Sequence, residues 1–403
     1  MIGRRELVTG SLAAGLAGRF TAARAAAMPG VTKTTVKIGN TMPYSGPASS
    51  YGNIGRTESA YFRMINDMGG IAGHTIDFIS LDDGYDPPRT VEDVRRLVEQ
   101  DKVDFLFQDL GTPTNSAIAR YVNHNKIPTL FVGSGASKWA DYKHYPWDMG
   151  WQPNYRLEAQ FYTQYAMKHV KNPRFAVLYQ NDDFGKDYPA GVRDVLGKDA
   201  HKFIARAASY ETTDPTVDSQ IVSLQASGAN VLIVGAIPKF AAQAIRKVHE
   251  IGWKPMFFMT NVSISVGGVM RPAGANSGLG IISTGYLKDP TDPSWKNDAG
   301  MEKWRAFMGK YMPKADMSDA DYVFGYGITQ TMVQVLRQCN GNFSRQNVMR
   351  QAENLHNVKI DTVLPGITLN TSPTDHRPIK AMQFQRWNGE TWERFGKLIQ
   401  ATA

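Results

Sequence analysis

Apolar and polar positions along this chain switch repeatedly between two periods, regularly enough to predict most of its elements. Short apolar runs bounded by polar turns read as buried strands at Thr35–Met42, Thr75–Leu81, 103–108, 127–133, Arg174–Tyr179, Lys202–Ser209, Val231–Gly235 and Met256–Thr260, with another near 279–285. Between them, apolar residues recur every three or four positions. That spacing predicts helices over Gly52–Asp67, Arg89–Gln100, Phe184–Leu196 and Pro238–Glu250, and one starting near Pro113. Asp214 is expected to cap a further helix, with Pro215 in its first turn. Later helices are expected over 298–312, 320–338 and 344–355. The chain is then expected to close in a β-hairpin, Ile379–Trp387 and Thr391–Phe395, turning at Asn388-Gly389. Strands alternating with helices imply parallel sheets covered by helices, an α/β fold. At 403 residues the natural division is into two domains.

The first 27 residues follow a different logic. Arg4-Arg5-Glu6-Leu7-Val8 is a twin-arginine pattern, Thr9 to Gly18 is weakly apolar, and Ala25-Ala26-Ala27 offers the small residues a signal peptidase reads. Residues 1–27 are therefore expected to be a cleaved export signal, leaving a soluble periplasmic chain. No later apolar run has membrane-spanning length. Cleavage would remove four arginines and one glutamate, lowering the formal charge from +8 to +5. With no basic run longer than Arg95-Arg96 beyond it, nucleic acid is not an expected partner. Cys339 is the only cysteine, so an internal disulfide is impossible. Its apolar neighbours Met332, Val333, Val335 and Leu336 mark it as a core thiol.

Candidate chemistry concentrates at two strand ends. Val132-Gly133-Ser134-Gly135-Ala136-Ser137 places hydroxyls among glycines that let backbone N–H groups come close to a ligand. Phe105 to Asn115, containing Gln108-Asp109-Leu110-Gly111-Thr112, has the same character. At the carboxyl ends of parallel strands such loops hold small anions. Other readings are weaker. Asp82, Asp83 and Asp86 lack the glycine and distal glutamate of a calcium loop and read as turn-building carboxylates. Gly133-Ser134-Gly135-Ala136-Ser137-Lys138 imitates a dinucleotide fingerprint, but lysine replaces the third glycine and the site follows the fourth strand. The eight histidines are never within five residues of one another, and no Gly-x-Ser-x-Gly elbow occurs. Trp139, Trp147 and Trp151 read as packing residues. The expectation is a binding protein, not an enzyme, with no cofactor and no metal.

The order of several pieces resembles the leucine/isoleucine/valine-type periplasmic solute-binding proteins of ABC transporters. These pieces are Val36-Lys37-Ile38-Gly39, Ser45-Gly46-Pro47, Tyr51-Gly52, Ile65 to Gly73, Asp82-Asp83 with Asp86-Pro87, Tyr179 to Gly185, and Thr213-Asp214-Pro215. The resemblance implies a type I periplasmic binding protein: two Rossmann-like lobes with parallel sheets, joined by a three-segment hinge. Lobe one would hold 28–150 and 284–363, lobe two 151–283 and 364–403. A small-molecule carboxylate would be enclosed between them by hinge closure and passed by the monomer to permease subunits in the inner membrane. It further implies an aromatic wall at Tyr51, carboxylate contacts at Thr112 and Ser137 with backbone groups around Gly135 and Ala136, walls at Phe184 and Tyr322, and a contact at Ile237. Relatives that bind branched-chain amino acids place a glutamate where Val262 stands, and a disulfide where Tyr85 and Gly111 stand. Losing that glutamate favours an aromatic or apolar organic acid over a branched-chain amino acid, unless Asp109, Asp182, Asp183 or Glu158 supplies the counter-charge. An amide or urea sensor on the same fold and an exported enzyme are the remaining alternatives.

Overall fold

The computed structural model describes residues 28–400, so the expected export signal lies outside the described residues. Among the described residues twelve strands form two sheets. The first is wholly parallel, in the order β2-β1-β3-β4-β5, from β1 (Thr35–Met42), β2 (Thr75–Asp82), β3 (Phe105–Phe107), β4 (Thr129–Val132) and β5 (Asp148–Gly150). The second runs β12-β11-β10-β9-β8-β6-β7. It comprises β6 (Phe175–Gln180), β7 (Ile204–Tyr210), β8 (Val231–Gly235), β9 (Met256–Met259), β10 (Ile282–Gly285), β11 (Ala381–Trp387) and β12 (Trp392–Gln400). Its strands are parallel except for the terminal hairpin, where β11 runs antiparallel to both β10 and β12. Every residue of β8 is buried, as expected of a strand covered by helices on both faces.

The helices in chain order are α1 (Gly52–Asp67), α2 (Pro87–Arg95), α3 (Thr112–His124), α4 (Tyr155–His169), α5 (Asp183–Leu196), the single turn α6 (Ala200–Phe203), α7 (Asp218–Ala226), α8 (Pro238–Glu250), the short α9 (Arg271–Ala273), α10 (Ala299–Tyr311), α11 (Ala320–Gln338) and α12 (Arg345–Ala352). Helix α1 stops at Gly69 and Gly70, both left-handed, and at Gly70 a Cβ would meet the His74 carbonyl at 2.1 Å. Although α11 comes late in the chain, it returns to pack on α1, so the first lobe is completed by distant sequence. The chain passes between the lobes after β5, after β10 and before β11. The second and third crossings pair side by side, Lys288 N–H to the Thr362 carbonyl (2.9 Å) and Leu364 N–H to the Tyr286 carbonyl (2.9 Å). Strand β10 carries the second sheet through Gly285, two residues past the expected boundary at 283/284.

Several local expectations need correction. Asp214 caps no helix: its carboxylate accepts from Glu211 N–H (2.9 Å) in a turn, and α7 begins only at Asp218. The helix expected from Arg89 starts at Pro87, because Asp86 caps it through Arg89 N–H (3.0 Å), and its last turn, Arg96–Gln100, widens to π geometry. The expected strand from Lys202 begins at Ile204, after α6. Helix α4 is not marked by the hydrophobic pattern, since Tyr155, Glu158, Ala159, Phe161, Tyr162, Thr163 and Ala166 are buried around most of its circumference. The three aspartates do build a turn: Asp82 accepts from Ser45 and Gly84, Asp83 from Tyr85 and Thr90.

Candidate functional site

Strand β3 ends in a sharp change of direction. Gln108, directly after it, is fully buried and adopts a left-handed φ of 58°. Three residues on, Gly111 has φ 110°, and a Cβ there would stand 2.6 Å from both the Tyr85 ring and Thr114 Oγ1. Only glycine fits that position. The chain then enters α3 at Thr112, beside Gly133 at the end of β4. A polarised hydroxyl relay runs through this corner. Ser134 Oγ accepts from Ala136 N–H (3.1 Å) and Trp139 Nε1–H (2.9 Å), and lies 2.6 Å from Thr112 Oγ1. A hydroxyl has one proton and two acceptor sites. Ser134, already accepting twice, donates its proton to Thr112, which leaves the Thr112 proton free for the cavity in front of it.

That cavity lies between the lobes, and about 950 Å³ of space, open solvent at its mouth included, is bounded by its walls. The first lobe contributes Tyr51, Tyr85, Gln108, Gly111, Thr112 and Gly133. The second contributes Tyr155, Phe184, Ile237, Asn261, Val262, Gln385 and Trp392; the crossing between the lobes adds Tyr286 to Asp289, and α11 of the first lobe adds Asp321 and Phe324. Phe184 meets Tyr155 edge-on at 4.8 Å, and Trp392 Nε1–H is anchored on the Ile264 carbonyl (2.8 Å). Lys288, though in the wall, is tied to Asp298 (2.7 Å) and the Asp361 carbonyl (2.7 Å). Asp289 accepts from Thr291 and Thr391. Among the described residues nothing donates to the carboxyl of Asp321, and burial, then neighbouring Asp319, pushes it well above the usual carboxylate range.

Five of the expected contacts therefore share one cavity: Tyr51, Thr112, Phe184, Ile237 and Val262. Gly135, Ala136 and Ser137 line a second cavity on the hinge side, with Arg156, His376 and Lys380; Gln152 lies in the wall of both. Ser137 is engaged by the protein itself, its N–H and its hydroxyl each donating to the Asp187 carboxylate of α5 at 2.7 Å. Tyr322 lines neither cavity. Helix α11 starts at Ala320, so Asp321 and Phe324, three apart, face inward while Tyr322 lies about 100° round. None of the four acids expected to compensate for Val262 lines the main cavity. Asp109 holds Thr41, Asp182 caps α5 and Asp183 pairs with Lys138 (3.0 Å). Glu158 accepts from Tyr162, Tyr188, Thr284 and Asn261. The pattern of residues did not mark Gln108, Asn261, Asp321, Gln385 or Trp392; the one available signal was that Gln108 and Asn261 stand inside stretches already singled out.

The lobes touch around the cavity. Besides Ser137–Asp187 and Lys138–Asp183, Tyr51 Oη–H donates to the Val262 carbonyl (3.0 Å), Ser265 Oγ–H to Asp319 (2.7 Å), and Arg271 to Ser318 Oγ (2.8 Å). This is a closed form. Among the described residues no three His, Cys, Asp or Glu side chains converge as metal ligands do, and no helix is long and apolar enough to cross a membrane.

Comparison with known proteins places this geometry. Residues 35–391 match the periplasmic binding protein family. The Leu/Ile/Val-binding protein homolog 1 of Brucella abortus (strain 2308) is 23% identical over 318 residues, covering 76% of this chain and 79% of the relative. A crystal structure of a branched-chain amino acid ABC transporter from Thermus thermophilus with bound valine superposes with a TM-score of 0.82 at 13% identity, covering 92% of this chain and 98% of the other. An ABC transporter solute-binding protein of R. palustris in complex with 4-hydroxybenzoate gives 0.75 at 14% identity, covering 91% and 97%.

Proposed function

The chain belongs to the periplasmic binding protein family, of the leucine/isoleucine/valine-binding kind, and from that premise we propose that it captures a small carboxylate with an apolar or aromatic body and delivers it to an ABC permease after export. The observation that carries this reading is the relay through Ser134, which aims the Thr112 hydroxyl proton into the cavity. A carboxylate accepts hydrogen bonds and donates none, so it suits a site whose strand-end hydroxyl is fixed as a donor. The positive end of α3, a 13-residue helix opening at Thr112, adds to the attraction. The walls suit an apolar ring: Tyr51, Tyr85, Tyr155, Phe184, Tyr286 and Phe324 surround the space, and Val262 presents no charge. The neighbours holding valine and 4-hydroxybenzoate show what the fold accommodates in other proteins.

A branched-chain amino acid is the second reading, and Asp321 favours it. This carboxyl in the cavity accepts no hydrogen bond and would ionise against a ligand ammonium. A thermal-shift panel of aromatic acids, aliphatic acids, branched-chain amino acids and amides at equal concentration separates the readings. A ligand at a hundred times its dissociation constant adds about 2.7 kcal/mol of stability. The largest shift is expected from an aromatic acid; a largest shift from leucine, isoleucine or valine would transfer the assignment to the second reading. Export is tested by the intact mass of the periplasmic protein, expected to begin near Met28.

A further inference from the structure

Three side-chain amides in the walls of the main cavity are almost completely buried and carry atoms with no hydrogen-bond partner among the described residues. Gln108 is fully buried with both Nε2 and Oε1 unpaired; Asn261, 7% exposed, has Oδ1 unpaired; Gln385, 3% exposed, has Nε2 unpaired. Leaving such a group unsatisfied is costly, and native proteins contain few of them. Here three stand in the walls of one space. Gln108 also holds its left-handed backbone without being glycine, the kind of local strain that gathers at binding sites. Its side chain lies over Gly133, where a Cβ would meet Nε2 at 2.5 Å, so the cavity floor is shaped to fit that amide.

The polarity of the set narrows what it reads. Asn261 Nδ2–H donates to Glu158 (2.9 Å), and its backbone N–H donates to the same carboxylate (2.9 Å). Its amide is thereby oriented, and Oδ1 is left as an unpaired acceptor in the cavity wall. A carboxylate brings no donor for it, whereas an ammonium brings donors but no acceptor for Gln385 Nε2 or Gln108 Nε2. A primary amide, with two donors and a carbonyl oxygen, matches all four unpaired atoms; a hydroxyl, with one proton, serves both Nε2 groups and one of the two acceptors.

We propose that the ligand carries, besides its carboxylate, a hydroxyl or primary amide group that is read by Gln108, Asn261 and Gln385. The inference rests on the carboxylate reading of the same cavity and deepens it: the enclosed body is polar at a second point.

Matched probes test it: benzoate, its three ring-hydroxylated isomers and 4-carbamoylbenzoate, titrated calorimetrically against the wild-type protein and against Gln108→Leu and Gln385→Met. These substitutions keep the volume and remove the amide. At least one hydroxylated or carbamoylated probe is expected to bind tenfold or more tightly than benzoate. Both variants should reduce that ratio to below about threefold. Circular dichroism confirms folding of each variant, and either one alone suffices for the reading. Equal binding of all the benzoates, or a ratio unaltered in the folded variants, overturns the inference and leaves the carboxylate reading standing. Failure of every carboxylate probe to bind overturns both.

Discussion

Single residues set the polarity of this site. Thr112 is useful because of what stands behind it: Ser134, twice an acceptor, leaves the threonine proton free. Hydrogen bonds to charged groups contribute about 1.5–3 kcal/mol each. Thr112→Val is therefore expected to weaken carboxylate binding about ten- to a hundredfold by calorimetry, with the melting temperature of the empty protein nearly unchanged. Ser134→Ala should weaken it less, since Thr112 keeps its hydroxyl but loses its orientation. If affinity survives Thr112→Val, the carboxylate is bound elsewhere. The hydroxyls, glycines and aromatics of this site were legible in the sequence as residue types at strand ends. Gln108, Asn261, Gln385 and Asp321 were not, because what distinguishes them is the absence of a partner, which only the folded surroundings decide. Tyr322 misled for a related reason: one residue along a helix turns a side chain by about 100°.

At the scale of elements, the strands were readable because parallel strands covered on both faces are almost continuously apolar, as in β6 and β8. Helix α4 hid because burial around most of its circumference erases the helical period. The contact of α1 with the end of β3 carries a different kind of information. Glu58 on α1 and Asp109 after β3 are both fully buried, and neither Glu58 oxygen has a partner among the described residues. Burial pushes Asp109 up to about 7 against the two bonds from Thr41, and burial with the neighbouring Asp109 raises Glu58 well above the carboxylate range. In the unfolded chain Asp109 ionises near pH 3.9. From about pH 4 to 7 the unfolded state has therefore released a proton that the folded state retains, and stability falls as pH rises, by roughly 1.4 kcal/mol per unit from this group. Asp109→Asn keeps the acceptor for Thr41 and places a donor toward Glu58. Urea melts from pH 4.5 to 7 should show a flatter pH dependence than wild type and a higher midpoint at pH 7. A parallel pair of curves would mean that Asp109 is ionised in the folded protein.

For the whole molecule, the decisive relation is between the lobes. A serine expected to hold cargo instead holds an aspartate of the opposite lobe, so part of closure is stabilised by the protein's own carboxylate. Asp187→Asn removes one acceptor and the charge. It should raise the dissociation rate of a bound acid about tenfold in stopped-flow measurements, with the association rate changed less than twofold. An unaltered dissociation rate would show that this contact does not limit opening. The wall of the main cavity has a practical consequence as well. Of the eight tryptophans, only Trp392 lines it, held edge-on by the Ile264 carbonyl. The other seven do not line it, although Trp151 packs behind the wall on Tyr286 and Phe324 (5.9 and 5.2 Å) and Trp387 on Trp392 (5.6 Å). Occupancy should therefore be visible as a change in intrinsic emission that Trp392→Phe sharply reduces, so this protein can report its own filling in unlabelled form.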